Sequence, residues 1–138
     1  MIQLIYTSDF AQALKIEDFE KILAAAVTKN KRLDITGMMV VIDGHIFQTI
    51  EGSEHNVQSL MDSIKADNRH NNIRIIGVDS VVVRDYPDWA MGYTCNWQGT
   101  TLDDVKSLLL QLAETNTFSE NNAQSLKILM RSLRPELT

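Results

Sequence analysis

"DITGMMVVIDGHIFQTIEG", residues Asp34–Gly52, decides how the rest of the chain is read. One strand ends near Ile42, Asp43-Gly44 is a dipeptide that favours a type I′ turn, and a return strand extends from His45 to Glu51. The stretch is therefore expected to be a β-hairpin. Side chains alternate across a sheet, which puts Ile46, Gln48 and Ile50 on one face and His45, Phe47 and Thr49 on the other. Gln48 interrupts an apolar row. A buried amide without a partner costs roughly 1–3 kcal/mol, so something polar must meet it.

Outward from the hairpin, the hydrophobic period switches in an informative order. Ile2 to Ser8 reads as a strand with Ile2, Leu4 and Tyr6 on one face, and Ile16 to Asn30 as a helix with Phe19, Leu23 and Ala26 along a stripe. After the hairpin, about Glu54 to Asp67 gives a second helix whose apolar side carries Val57, Leu60, Met61 and Ile64. "IRIIGVDSVVVRD" (73–85) is a β-branched run in which Gly77 marks a bulge or bend, and a last strand lies within "WAMGYTCNW" (89–97). The order is β-α-β-β-α-β-β. It predicts an α+β, ferredoxin-like domain: a mainly antiparallel sheet with two helices on one face. Two amphipathic helices follow, roughly Leu102 to Thr115 and Ser119 to Leu133, with Ser119 and Asn121 or Asn122 as caps. Residues 1–98 are read as the domain and 99–138 as its helical extension, whose Leu108, Leu109, Leu112, Leu126, Leu129 and Met130 can cover the sheet or meet another copy.

Composition narrows the function. With 138 residues, 44% hydrophobic and 22% charged, the chain suits one domain with a real core. A net charge of -5 without a basic stripe argues against a nucleic-acid partner. No apolar run reaches transmembrane length and "MIQLIYTS" is not a cationic leader, so a cytoplasmic protein without membrane association is expected. The single cysteine, Cys95, and three scattered histidines give neither a disulfide nor metal-ligand spacing.

Three neutral polar side chains are expected on the inner side of one layer. Asn30 lies 7 and 11 residues beyond Leu23 and Phe19, on the same helical stripe, and Tyr6 follows Leu4 on the first strand's row. Each alone has an ordinary structural explanation: a tyrosine bonded to a carbonyl, an asparagine ending a helix, a glutamine bonded to a neighbouring strand. Together, two amides and a phenol match a planar heterocycle with an alternating carbonyl and N–H edge better than a phosphate or carboxylate. A flavin ring has that edge. A tyrosine beside it is a candidate electron donor, and a glutamine can reorient or change tautomer because its two ends bond differently.

"LIYTS" (4–8), "NKRLDITGMMV" (30–40), "DGHIFQTIEG" (43–52), "IKADNRH" (64–70) and "YPDWAMGY" (86–93) resemble, in order and spacing, the motifs of the BLUF family of blue-light sensors. The resemblance implies noncovalent FAD, with FMN or riboflavin as alternatives. It makes Tyr6 the electron donor to the excited flavin and Gln48 the residue whose hydrogen bonds rearrange. By the same resemblance Asn30 bonds the flavin's polar edge, Lys29, Asp67, Arg69 and His70 line the ring and ribityl chain, and Ser8 touches the tyrosine-glutamine network. Trp89 and Met91, two apart on one face of the last strand, match the pair that exchange near the glutamine during signalling. Residues 99–138 are too few for the cyclase or phosphodiesterase domains of some relatives, so a photosensor without an attached enzyme is expected. Its output would pass through a homo-oligomer or a separate protein partner.

Other classes fit less well. An acylphosphatase-type enzyme would need a phosphate cradle, and the loop "DFAQALKIED" (9–18) has no glycine-rich one. A cysteine-adduct photoreceptor would need a reactive thiol, yet Cys95 has no adjacent base. A ligand-binding regulatory module without photochemistry is the nearer alternative, and the joint presence of Tyr6 and Gln48 speaks against it.

Overall fold

A computed structural model describes residues 1–10, 16–42, 45–88 and 90–95. The elements are β1 (Ile2–Phe10), α1 (Ile16–Arg32), β2 (Thr36–Ile42), β3 (His45–Gly52), α2 (Glu54–Ala66), β4 (His70–Ser80) and β5 (Gly92–Cys95). They form one five-stranded sheet in the order β4-β1-β3-β2-β5. The first four strands pair antiparallel, and β5 adds parallel to β2. Each helix thus links two parallel strands with a third inserted between them, the ferredoxin-like arrangement expected from the period. The hairpin is present too: Ile42 pairs with His45, although Asp43 and Gly44 lie outside the described residues.

Both helices cover the face carrying Ile2, Leu4, Tyr6, Met39, Val41, Ile46 and Ile50, to which α1 adds Leu23 and Val27 and α2 adds Val57, Leu60 and Met61. Burying each such aliphatic side chain contributes about 1.5–3 kcal/mol before entropy is subtracted. Phe19 has no described side chain. The other face is enclosed as well: Ile5, Met38, Val40 and Phe47 are buried there beside the polar Gln3, Thr7, Thr49 and Glu51.

Local chemistry sets the helix ends. In α2, Ser53 caps the start by accepting from the Asn56 N–H, and the Asp67 N–H bonds the Ile64 carbonyl at the end. In α1, the Ile35 N–H reaches the Asn30 carbonyl and the Asp34 N–H the Lys31 carbonyl, with Asp34 at φ 52°. This is a Schellman ending. It runs two residues past the expected Asn30, so Asn30 closes the helix with its backbone while its side chain stays free for the interior. Gly37 follows on β2, where a Cβ would stand 2.0 Å from the Thr49 carbonyl oxygen.

Two strands differ from their expected spans. The β-branched run 73–85 is strand only in part: β4 begins at His70 and stops at Ser80. Beyond it the Asp85 and Tyr86 N–H groups donate to the Glu51 carboxylate instead of to a neighbouring strand, and Val82 and Val83 are 95% and 72% exposed. The bulge near Gly77 is present: Ile5 pairs with Gly77 and Tyr6 with Ile75, leaving Ile76 extra. β5 begins only at Gly92, so Met91 stands just ahead of the last strand and not on it, because pairing to β2 starts at Met38–Gly92. Trp89, Trp97 and the expected helices between Leu102 and Leu133 lie outside the described residues.

Candidate functional site

Between the two helices and the sheet lies a cleft with about 770 Å³ of empty space, part of it open to solvent. One wall is Ile22, Ala25, Ala26 and Lys29 of α1; the facing wall is Leu60, Ser63 and Ile64 of α2 with Asp67 at its C-cap. Both follow the i, i+3, i+4, i+7 spacing of a single helix face. The alanines and serine keep the walls apart. The floor is sheet: Tyr6, Met39, Ile46 and Gln48.

Register brings the floor's polar groups together. Tyr6 on β1 is the direct partner of Gln48 on β3, and Met39 of β2 pairs with Gln48 from the other side. Tyr6 donates its phenolic O–H to Gln48 Oε1, and Gln48 Nε2 donates to Met91 Sδ at 3.4 Å. Tyr6 is 1% exposed and Gln48 3%. The polar partner that Gln48 required is therefore a phenol on one end and a thioether on the other. Met91 is itself buried, held where Asn30 Nδ2 donates to the carbonyl of Ala90 at 2.7 Å. Ser8 is buried on the same face, two residues beyond Tyr6.

At the mouth, Asp67 and Arg69 form a two-residue clasp. Arg69 Nε donates to Oδ1 at 2.9 Å and Nη2 to Oδ2 at 2.6 Å, and the Arg69 N–H also reaches Oδ1. The hydrogen bonds to this carboxylate raise the guanidinium's pKa further. Lys29 lines the cleft on the opposite wall. His70 starts β4, where it pairs with Phe10, but its side chain is outside the described residues. Of the residues named from the BLUF resemblance, Tyr6, Asn30, Gln48, Lys29, Asp67 and Arg69 line this cleft, and Met91 meets Gln48 at its floor. Ala26, Leu60 and Ile64 were read as core-facing stripe residues and not as walls of a cleft, Ile22, Ala25 and Ser63 were not singled out, and the Ala90 carbonyl is one that no side-chain pattern reveals.

Burial first, and the Asp67 charge second, push the Tyr6 phenol far above the ordinary tyrosine range. Unfolded, it would titrate near pH ~10. Above that pH the unfolded chain binds fewer protons than the folded one, so this group's contribution to stability is lost as pH rises. The slope approaches about 1.4 kcal/mol per pH unit. Denaturant midpoints measured from about pH 9 to 11 should fall less steeply for Tyr6→Phe than for the unaltered chain. Equal slopes would show that this phenol is not the titrating group.

The donor set fits a flavin. The walls are apolar along Ile22, Ala25, Ala26, Leu60 and Ile64, which suits the faces of a ring, Gln48 and Tyr6 present uncharged hydrogen-bonding groups on the floor, and Lys29, Asp67 and Arg69 add charge to the lining beyond the apolar stretch. Among the described residues no cluster of His, Cys, Asp and Glu could hold a metal, and no helix is long and apolar enough to cross a membrane.

Residues 1–92 match the family model for BLUF, the sensors of blue-light using FAD. The beta subunit of photoactivated adenylate cyclase from Euglena longa is 27% identical over 123 residues, 88% of this chain but 14% of that protein. This chain thus spans about a seventh of that relative's length. Among solved structures, a bacterial light-regulated adenylyl cyclase superposes with a TM-score of 0.80 at 28% identity, over 84% of this chain and 35% of the other. BlrB, a BLUF protein in its dark state, superposes with a TM-score of 0.75 at 27% identity, covering 95% of each chain. With a family match that runs from Tyr6 through Met91 and a cleft whose donors suit the ring, the chain belongs to the BLUF family of blue-light sensors, and its cofactor is a flavin, FAD by the family's definition.

Proposed function

We propose that Tyr6 and Gln48 convert the absorption of blue light into a rearranged hydrogen-bond network, which Met91 carries out of the domain. The observation behind this is the chain of contacts from the Tyr6 O–H to Gln48 Oε1 and from Gln48 Nε2 to Met91 Sδ on the floor of the cleft. A bound flavin supplies the light absorption and, when excited, an acceptor for one electron. Tyr6 is the donor. Because burial holds its phenol protonated, it cannot lose an electron from a phenolate; the proton leaves with the electron, along the existing hydrogen bond to Gln48 Oε1. Gln48 then rotates or changes tautomer, and the electron and proton return to Tyr6.

The consequence falls on Met91. Rotation of the amide turns Oε1 towards Sδ in place of the Nε2–H donor, and an oxygen and a thioether sulfur are both acceptors. Met91 loses its partner and its segment is released. Asn30, Lys29, Asp67 and Arg69 hold the cofactor at the polar edge and mouth, with His70 and Ser8 as supporting groups, and Trp89 is the residue exchanged with Met91. Residues 1–98 act as the photosensor and 99–138 as the helical extension that passes the change to a second copy or a separate protein. In this reading the output passes by binding, in the cytoplasm.

An absorption spectrum taken before and after blue light tests the reading. The purified protein should be yellow, and its flavin band should shift reversibly to the red, because the rearranged amide adds a hydrogen bond to the ring's polar edge. Chromatography of heat-released cofactor separates FAD from FMN and riboflavin. A colourless, folded protein that ignores added FAD would overturn it.

A further inference from the structure

The stretch from Val81 to Met91 crosses the end of the sheet between β4 and β5, and its middle is held by one buried carboxylate. Glu51, on β3 three residues beyond Gln48, is 0% exposed. Its Oε1 accepts from the Tyr86 N–H at 2.7 Å and the Thr36 hydroxyl at 3.0 Å, and its Oε2 from the Asp85 N–H at 2.9 Å and Gln3 Nε2 at 3.1 Å. Four donors converge on one side chain. Arg84 adds bonds to the Glu51 and Asp34 carbonyls at 3.2 and 2.8 Å. At its far end the same stretch is held by Asn30 at Ala90 and by Gln48 at Met91.

We propose that Glu51 is a positioning residue for the light response: its carboxylate clasps the backbone at Asp85 and Tyr86 to the sheet, and so sets where Met91 meets Gln48. A carboxylate suits the task because it is acceptor-only, and all four groups facing it are donors, two of them backbone N–H groups that cannot reorient. Since Glu51 and Gln48 share β3, the clasp and the Gln48–Met91 contact are referenced to the same strand, which gives the Met91 segment one fixed origin and one end that can be released. The inference rests on the reading that Met91 receives the change at Gln48.

Glu51→Gln tests it with little change of shape, because the amide sets an NH₂ against two of the four donors. Measured in the dark on the flavin-loaded protein, amide hydrogen exchange should quicken by about tenfold or more at Asp85 and Tyr86, and also at Met91 and Gly92. The flavin and the formation of the red-shifted state should be retained, while the rate of return in the dark changes. Quickened exchange confined to Asp85 and Tyr86, with Met91 and Gly92 and the dark recovery as in the unaltered protein, would make the clasp a local structural bond and overturn the proposal. Should Glu51→Gln not fold, Thr36→Val, which removes one donor to the carboxylate together with the hydroxyl that accepts from Arg84 Nη1 at 2.9 Å, is read by the same amides for a smaller change in the same direction, and no change at Met91 and Gly92 overturns it equally. The dark exchange does not depend on photochemistry, so failure of the Tyr6–Gln48 reading, seen as normal photocycling without the phenol, is a separate result.

Discussion

Tyr6→Phe should bind flavin and give no red-shifted state under blue light. The substitution keeps the aromatic ring that forms the cleft floor but removes the O–H that donates to Gln48 Oε1. Two losses follow. Phenylalanine is much harder to oxidise than tyrosine, so electron donation from this position stops. Gln48 also loses the route by which a proton reaches its oxygen. Leaving a buried amide oxygen without its donor costs about 1–3 kcal/mol, which lowers stability without unfolding a domain of this size. The expected result is a yellow, folded protein whose light-minus-dark difference falls below detection, and a persisting red shift would remove Tyr6 from the mechanism.

Met91 offers the second large effect, and on a different readout. Met91→Ala should leave the flavin red shift largely intact, because Tyr6 and Gln48 remain, while the light-dependent change in oligomer size, partner affinity or exchange protection across residues 102–133 drops severalfold. Truncating a buried methionine also costs roughly 2–5 kcal/mol in lost packing, so Met91→Leu is the informative companion. Leucine nearly conserves volume, at less than about 1.5 kcal/mol, yet has no sulfur to accept from Gln48 Nε2. Both variants should lose the downstream response; if residues 102–133 respond as before, the signal leaves by another edge of the sheet. A hydrogen-bond exchange is worth only about 1 kcal/mol, so the response requires an element already near balance between two arrangements. The Met91 segment qualifies, lying outside any strand and held by side-chain bonds from Asn30 and Gln48.

What could be read in advance was whatever depends on period and local chemistry. The hairpin strands between Asp34 and Gly52 and the helical stripes are properties of neighbours in sequence, and they appear where the spacing put them. Gln48 stood out because an amide in an apolar row demands a partner, and register supplied Tyr6 directly opposite. The course of 81–88 was not legible. Val81, Val82 and Val83 have strand-forming side chains, but the backbone donors that follow are taken by Glu51, a residue more than thirty positions earlier whose burial nothing in its surroundings announces. The same holds for Asn30: its polarity in an apolar stripe was visible, whereas its bond to the Ala90 carbonyl depends on how a distant segment returns to the end of α1. The placing of Met91 beside Gln48 came from the likeness to the BLUF motifs. Period alone set it on a strand that begins one residue later.

The central claim is that the Gln48 amide is the element that rearranges, and the light-minus-dark absorption spectrum of Gln48→Leu tests it most directly. Leucine fills much of the same space on the cleft floor but can neither accept from Tyr6 nor donate to Met91 or to a ring carbonyl. The account predicts a flavin-loaded protein with no reversible red shift. A shift of normal size and reversibility in Gln48→Leu would contradict it.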